Sequence, residues 1–418
     1  MRWFDFIARA RIRTGAGAAL AMVVLTACTS APRPVQPADT VTLIQAEAQI
    51  PEEQLLDIVV QVFDPGLPGE GEELPPGVFE DVRKSEARFM AVKLADTLQG
   101  TGHWGAVRVV PALPANSDVT VSGSIVLSTG TKLVLDIRAI DATGNVWLDR
   151  KYKEEADPAA YADRAVGGGE PFRNIYNRIS NDLLLARQEI SPEDLSTIRQ
   201  VTKLEFAAEL LPAVYSDYLT RDRKGRLEVA RLPAGNDPMM DRIAKIRERE
   251  AMFVDVLNQH YAYFSQEMED PYDSWRKFSY EELIAFQAVR RKARTQKILG
   301  AIAVLGAIVV SPSSSAEAAI RDIAMIGGMA AIQAGFSTSK EAKIHKQALD
   351  ELAASFDAEV EPLVIEVEGQ TIRLTGSVEE QYQAWRELLL QIYTTETGLP
   401  LDPNSPDEVG EISGRRES

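Results

Sequence analysis

The stretch "DVTVSGSIVLSTGTKLVLDIRAIDATGNVWLDRKYK", residues 118–153, decides the fold of this chain of 418 residues. Apolar and polar side chains alternate through three segments, which is typical of strands that bury one face. The segments are separated by "TGT" (129–131) and "ATGN" (142–145), whose glycines favour tight turns. The stretch therefore predicts a meander of three neighbouring strands.

The residues before this meander predict two more strands around a helix. The segment "LLDIVVQVFD" (55–64) is apolar and rich in β-branched residues, as in a buried strand. The segment 80–102 has apolar residues at helical spacing and closes with Gly100 and Gly102, which favour a helix end. A short strand follows in "AVRVVP" (106–111). We therefore expect residues 51–155 to form an α/β domain with a mixed sheet.

This order of elements, with "SDVTVSGSI" (117–125) and "DATG" (141–144), resembles the anticodon-binding-like domain of bacterial envelope proteins. Examples are the curli-secretion-channel lipoprotein and the N-terminal domain of the Tol propeller protein. The resemblance implies a non-catalytic binding or assembly module, and it carries no catalytic residue over to this chain.

Helices dominate the next predicted region, residues 156–296. "SPED" (191–194) has the serine, proline and acids of a helix start, and Asp237 followed by Pro238 predicts another. Ser279 with Glu282 has the spacing of a capping box, which predicts that a new helix begins there.

The last part predicts a small α+β module over residues 337–400 and a disordered acidic tail over 401–418. In the module, two short strands turn at Glu368–Gly369 between helices. "IRLTGSV" (372–378) resembles part of a BON domain, which implies an association with membrane lipid. The predicted fold class of the whole chain is α+β.

The amino end predicts export and lipidation. Residues 1–27 combine a basic start with a short apolar run, as in a signal peptide. "LTAC" (25–28) resembles a lipobox, which implies cleavage between Ala27 and Cys28 and acylation of Cys28, with palmitate as a candidate chain. Thr29 in place of aspartate implies sorting to the periplasmic face of the outer membrane. Residues 28–50 would be the lipidated tether; the alternatives are a plain signal peptide, or a cysteine that is buried by chance.

Composition narrows the possible partners. The net charge is −17, and removal of four arginines and one aspartate with residues 1–27 makes it −17 − 3 = −20. Nucleic-acid phosphates require a basic surface, so we expect no nucleic-acid partner. Cys28 is the only cysteine, which excludes an internal disulfide.

Residues 297–336 predict a glycine-zipper-like apolar hairpin, broken by "SPSSS". Small residues at helical spacing let helices approach closely, so five glycines are candidates for helix contact or self-association. They are Gly300, Gly306, Gly327, Gly328 and Gly335. Three alternatives stay open: a buried hairpin, a contact between copies, or insertion in the membrane. A basic cluster that could meet anionic headgroups precedes it: Arg290, Arg291, Lys292, Arg294 and Lys297.

Sequence motifs of catalysis are missing. The three histidines, His103, His260 and His345, have no metal-ligand spacing, and no nucleophile elbow or phosphate loop occurs. We therefore expect no metal, no cofactor and no enzyme, and a scaffold lipoprotein that meets lipid through Cys28 and either other envelope proteins or its own copies. The alternatives are a lipid-binding or transport-accessory lipoprotein that inserts the hairpin, and an envelope hydrolase.

Overall fold

The computed structural model describes residues 40–69, 72, 74, 78–111, 117–161, 169–302, 340–357, 363–367 and 370–397. It confirms the predicted α+β class, since a mixed five-stranded sheet is combined with long helices. The helices are α1 (Glu80–Gly100), α2 (Arg173–Gln188), α3 (Pro192–Leu210), α4 (Pro212–Tyr215), α5 (Pro238–Ile302), α6 (Lys340–Asp357) and α7 (Val378–Thr397).

The strands of the main sheet are β1 (Ile58–Gln61), β2 (Val107–Val110), β3 (Val119–Ser128), β4 (Lys132–Asp141) and β5 (Val146–Glu155). Two hairpins lie outside it, β6 (Leu219–Arg221) with β7 (Leu227–Val229) and β8 (Leu363–Val367) with β9 (Gln370–Leu374).

The main sheet has the order β2-β1-β3-β4-β5. β1 is parallel to both neighbours, whereas β3, β4 and β5 form the predicted antiparallel meander. Gly144 adopts φ +87° in the turn between β4 and β5, a conformation that favours glycine. Alternate residues of the meander face α1 and α2 and are buried: Val119, Val121, Ile125, Leu133, Leu135, Ile137, Leu148 and Tyr152.

The long helix α5 covers the edge of the sheet at β2. Asn258 accepts a hydrogen bond from the Val109 N–H (2.7 Å) and donates one to the Val109 carbonyl (3.2 Å). Beside it, Arg108 donates to both carboxylate oxygens of Asp255, at 2.6 and 3.2 Å. The backbone groups of an edge strand offer a template for unwanted pairing, and α5 satisfies them here.

The helix starts at Ser191 and at Asp237–Pro238 are confirmed, but the start predicted at Ser279 is wrong. α5 runs unbroken through Ser279, which is buried. The β3–β4 turn packs against this point so closely that a β-carbon on Gly130 would collide with the Tyr280 nitrogen and the Arg276 carbonyl oxygen. Tertiary packing thus overrides a local capping motif.

One hydrophobic cluster unites these parts. It runs from Leu56 on the sheet side through Phe253 and Tyr272 of α5 to Ile392 of α7. Buried residues of the predicted α/β domain, helical region and C-terminal module therefore share a core.

Candidate functional site

Half of the predicted site residues, six of twelve, lie outside the described part of the chain. These are Ala27 and Cys28 at the lipobox and Gly306, Gly327, Gly328 and Gly335 in the predicted hairpin. Gly300 and the basic cluster, residues 290–297, fall on the last turns of α5, where only the helical backbone is described.

The amino-terminal segment, which we define as Val41–Ala46, is fixed to α2 by asparagine side chains. Asn174, Asn177 and Asn181 lie three and four residues apart, so they share one face of the helix. The segment is also held at its far end, where the Ala46 N–H donates to the Thr101 carbonyl (2.8 Å). The asparagine contacts are Val41 N–H to Asn174 Oδ1 (2.9 Å), Asn177 Nδ2 to Val41 O (2.7 Å), Ile44 N–H to Asn181 Oδ1 (3.0 Å) and Asn181 Nδ2 to Thr42 O (2.9 Å).

In these four bonds the asparagine side chains contact only backbone N–H and carbonyl groups of the segment, which are the groups that also pair neighbouring strands. The sequence analysis missed this attachment. Its signal is the asparagine spacing in "NIYNRISN" (174–181), which puts three amides on one side of an otherwise amphipathic helix.

A cleft of about 540 Å³ lies between the sheet, α3 and the first turns of α5. Its apolar wall includes Val59, Val110, Phe206, Ile243 and Val254. Charged side chains of both signs surround this wall, among them Asp118, Arg199, Lys203, Arg247 and Glu248. The size and the apolar wall match those of small-ligand pockets in proteins.

Asp118 connects three elements at one end of the cleft. Its carboxylate accepts hydrogen bonds from the Asp57 N–H (2.9 Å) before β1 and from the Thr202 hydroxyl (2.8 Å) on α3. The side chain is 4% exposed. Burial raises the pKa of Asp118, while these hydrogen bonds and the Arg247 charge oppose the rise. Both carboxylate oxygens are engaged, so Asp118 shapes the cleft.

α7 also contributes to the lining of the cleft. Arg386 makes ion pairs with Glu209 and Glu250. Burial raises the pKa of Glu250, and the charges of Arg386 and Arg247 oppose the rise. Tyr382 also lines the cleft, and its buried hydroxyl has no hydrogen-bond partner among the described residues. Burial raises the pKa of this hydroxyl to about 12.

Three cations of the cleft form no salt bridge with a described carboxylate, although the charge of Arg247 still acts on the nearby Asp118 and Glu250. Within the described ranges, Lys203 and Arg247 make no ion pair, and Arg199 donates only to the Glu52 carbonyl (2.8 Å). The fourth cation, Arg108, is held by Asp255 outside the cleft. Lys203 is exposed and the other two are partly exposed, so all three can meet a ligand.

A second group of buried charges stabilises the core. Arg276, 3% exposed, pairs with both carboxylate oxygens of Glu170 at 2.7 and 3.1 Å and with Asp273 at 2.5 Å. Its guanidinium lies 4.3 Å from the ring centre of Tyr272, as in a cation–π contact. Burial itself disfavours the charged form, but these acids raise the pKa of Arg276 well above its ordinary value. The network therefore fixes α5 against its surroundings.

Two further features are missing from the described residues. No group of histidine, cysteine and acidic side chains among them is arranged to hold a metal ion. None of the helices, as far as they are described, is long and apolar enough to cross a membrane.

No protein-family model matches the sequence, and comparisons with curated proteins and with solved structures found no match.

Proposed function

We propose that this chain is an exported lipoprotein, anchored through lipid on Cys28 at the periplasmic face of the outer membrane. In this proposal it is a non-enzymatic assembly or scaffold component of an envelope complex. It would meet the membrane through its anchor and other envelope proteins, or further copies of itself, through its folded body.

The observation that carries the proposal is the attachment of Val41–Ala46 to α2. Cys28 and Val41 are 41 − 28 = 13 residues apart, so the chain between them spans at most about 45 Å. Four asparagine hydrogen bonds fix the folded body at the end of this span. Such an attachment suits a protein that is held from its amino end and keeps its body near a surface.

The chemistry of the cleft favours binding over catalysis. The carboxyl groups of Asp118 and Glu250 both have a raised pKa, as catalytic acids often do. Each already has a structural partner, Thr202 for Asp118 and Arg386 for Glu250. These groups support the walls of a binding site.

The anchor is tested by metabolic labelling of bacteria with an alkyne analogue of palmitate. The chain should carry the label, and Cys28→Ala should abolish it, whereas the neighbouring Ser30→Ala should not. Thr29→Asp should shift the labelled protein from the outer to the inner membrane. Label that persists on the Cys28→Ala chain would refute lipidation at this residue.

Assembly is tested by light scattering on the full chain in detergent, beside a chain that lacks residues 298–336. A discrete oligomer that becomes a folded monomer on deletion would support self-association. A monomeric full chain, with no envelope protein cross-linked to it in cells, would exclude the scaffold role.

A lipid-binding role with hairpin insertion is the second candidate, favoured by the length of α5. The helix continues for 302 − 283 = 19 residues beyond Leu283, which is buried. At 1.5 Å per residue this is about 28 Å of helix. The extension carries the basic cluster to the start of the predicted apolar hairpin. Salt-sensitive binding to anionic vesicles, lost with residues 298–336, would favour this role.

A further inference from the structure

The cleft between the sheet, α3 and α5 has the chemistry of a site for a ligand that is apolar at one end and negatively charged beside it. The apolar wall can take a branched side chain through Val59, Val110 and Phe206. Lys203 and Arg247 stand next to this wall with no ion pair to any described residue. The carboxylate of a ligand could pair with these two cations through charge-assisted hydrogen bonds, which are stronger than neutral ones.

The acidic residues of the cleft restrict the ligand further. Asp241 and Glu248 on α5 also line it, and no described residue pairs with either carboxylate. They would repel a polyanion or a bare phosphate, but they can accept hydrogen bonds from N–H groups. A peptide offers both a carboxylate for the cations and N–H donors for the acids, since its backbone N–H groups lie within a few bonds of its terminal carboxylate.

The lining of the cleft also includes one residue whose buried polar group is unpaired. Tyr382 is 2% exposed, and its hydroxyl is without a partner in the described part of the chain. A buried hydroxyl with no hydrogen bond costs about 1–3 kcal/mol. A purely hydrocarbon ligand would leave this cost in place.

From these contacts we propose that the cleft binds the carboxyl-terminal end of a peptide whose last side chain is apolar. The side chain lies on the wall of Val59, Val110 and Phe206, and the terminal carboxylate meets Arg247, with Lys203 and Arg199 around it. The backbone N–H groups face Asp241 and Glu248. This site does not depend on the lipid anchor. Experiments can therefore refute peptide binding and uphold lipidation at Cys28, or refute lipidation and uphold peptide binding.

The test uses fluorescence anisotropy of the full chain in lipid nanodiscs. The probe is the pentapeptide Gly-Ser-Ala-Val-Leu, labelled at its amino end, with either a free carboxylate or a terminal amide. The free acid should bind at least about tenfold more tightly than the amide, as one charge-assisted contact predicts. Arg247→Gln and Lys203→Gln should each reduce this preference. Arg242→Gln is the matched control, since Arg242 lies exposed on the same helix and does not line the cleft.

Ala244→Trp provides a second test, because Ala244 lines the cleft and is exposed. A tryptophan there should block the free acid while the melting temperature stays unchanged. Equal binding of acid and amide, equal effects of Arg247→Gln and Arg242→Gln, or no binding at millimolar peptide would each overturn the proposal. Displacement of the peptide by hexanoate at equal concentration would assign the site to simple carboxylic acids and would overturn the peptide assignment.

Discussion

The attachment of Val41–Ala46 to α2 leads to a prediction that can be worked through from its contacts. Four hydrogen bonds join asparagine side chains to this segment. Each neutral bond contributes about 1 kcal/mol net, which gives about 4 kcal/mol in total. Ordering the four residues that these bonds span, Val41–Ile44, costs about 1 kcal/mol each at the low end of the range, so the two effects nearly cancel. The segment should therefore be docked by a small margin, and every asparagine should matter.

The double substitution Asn174→Ala with Asn181→Ala removes three of the four bonds, and we expect the segment to undock. Hydrogen exchange measured by mass spectrometry should show faster exchange of the Val41 and Ile44 amides by about twofold to tenfold, since a docking margin of up to about 1.4 kcal/mol protects an amide by at most a factor of ten. Exchange in β3 and β4 should stay unchanged. Gln188→Ala, an exposed change on the same helix, is the control. Unchanged protection of Val41 and Ile44 in the double variant would refute this account of the attachment.

Three further predictions concern the stability of the core and can be read from denaturant unfolding. Gly130→Ala should cost about 1–3 kcal/mol, because its methyl group would press on the backbone of α5 at Tyr280. Arg276→Leu should cost about 3–5 kcal/mol, because it leaves the Glu170 carboxylate beside it without its cation; a cost below 1 kcal/mol would contradict the proposed role of the network. Burial raises the pKa of Glu154 from 4.5 to about 7, so the folded chain holds this proton more tightly than the unfolded chain and stability should fall as pH rises from about 5 to 7. Glu154→Gln should reduce that fall by about 1–2 kcal/mol after solvent screening, and an unchanged pH profile would refute the assignment.

Local patterns predicted the strands of the meander well. The segment "KLVLDIRAID" (132–141) was expected as one strand, and β4 covers those residues. Alternation of apolar and polar residues and glycine-containing turns are local properties, so they can be read from the sequence. The parallel pairing of β1 with β2 and β3 joins distant segments, and only the structure gave its register.

The same capping motif succeeds at one position and fails at another. Ser377 and Glu380 form a reciprocal cap, since the Ser377 N–H donates to the Glu380 carboxylate (2.7 Å) and the Glu380 N–H donates to the Ser377 hydroxyl (3.3 Å). Ser279 and Glu282 have the same spacing but lie inside α5. A helix that continues across the site needs no cap, and packing of the Gly130 turn, which is distant in sequence, is invisible to a local rule.

The candidate site was hidden for a similar reason. Its residues come from β1, β2, the loop before β3, α3, α5 and α7, so no short motif contains them. Lys203 and Arg247 are 44 residues apart (247 − 203) and look like ordinary surface cations in the sequence. That neither forms a salt bridge with a described residue becomes evident only when the described neighbours are in place.

The contact between Asn258 and the edge of the sheet has a consequence for how a nascent chain matures. The partners Val109 and Asn258 are separated by 149 residues. At 5–20 residues per second, a ribosome needs roughly 7–30 s to add that length of chain. Throughout this interval β2 exists without the helix that satisfies its outer backbone groups. A chaperone that recognises extended, unpaired strands would have its longest opportunity here, and a truncation between β5 and α5 would make that opportunity permanent.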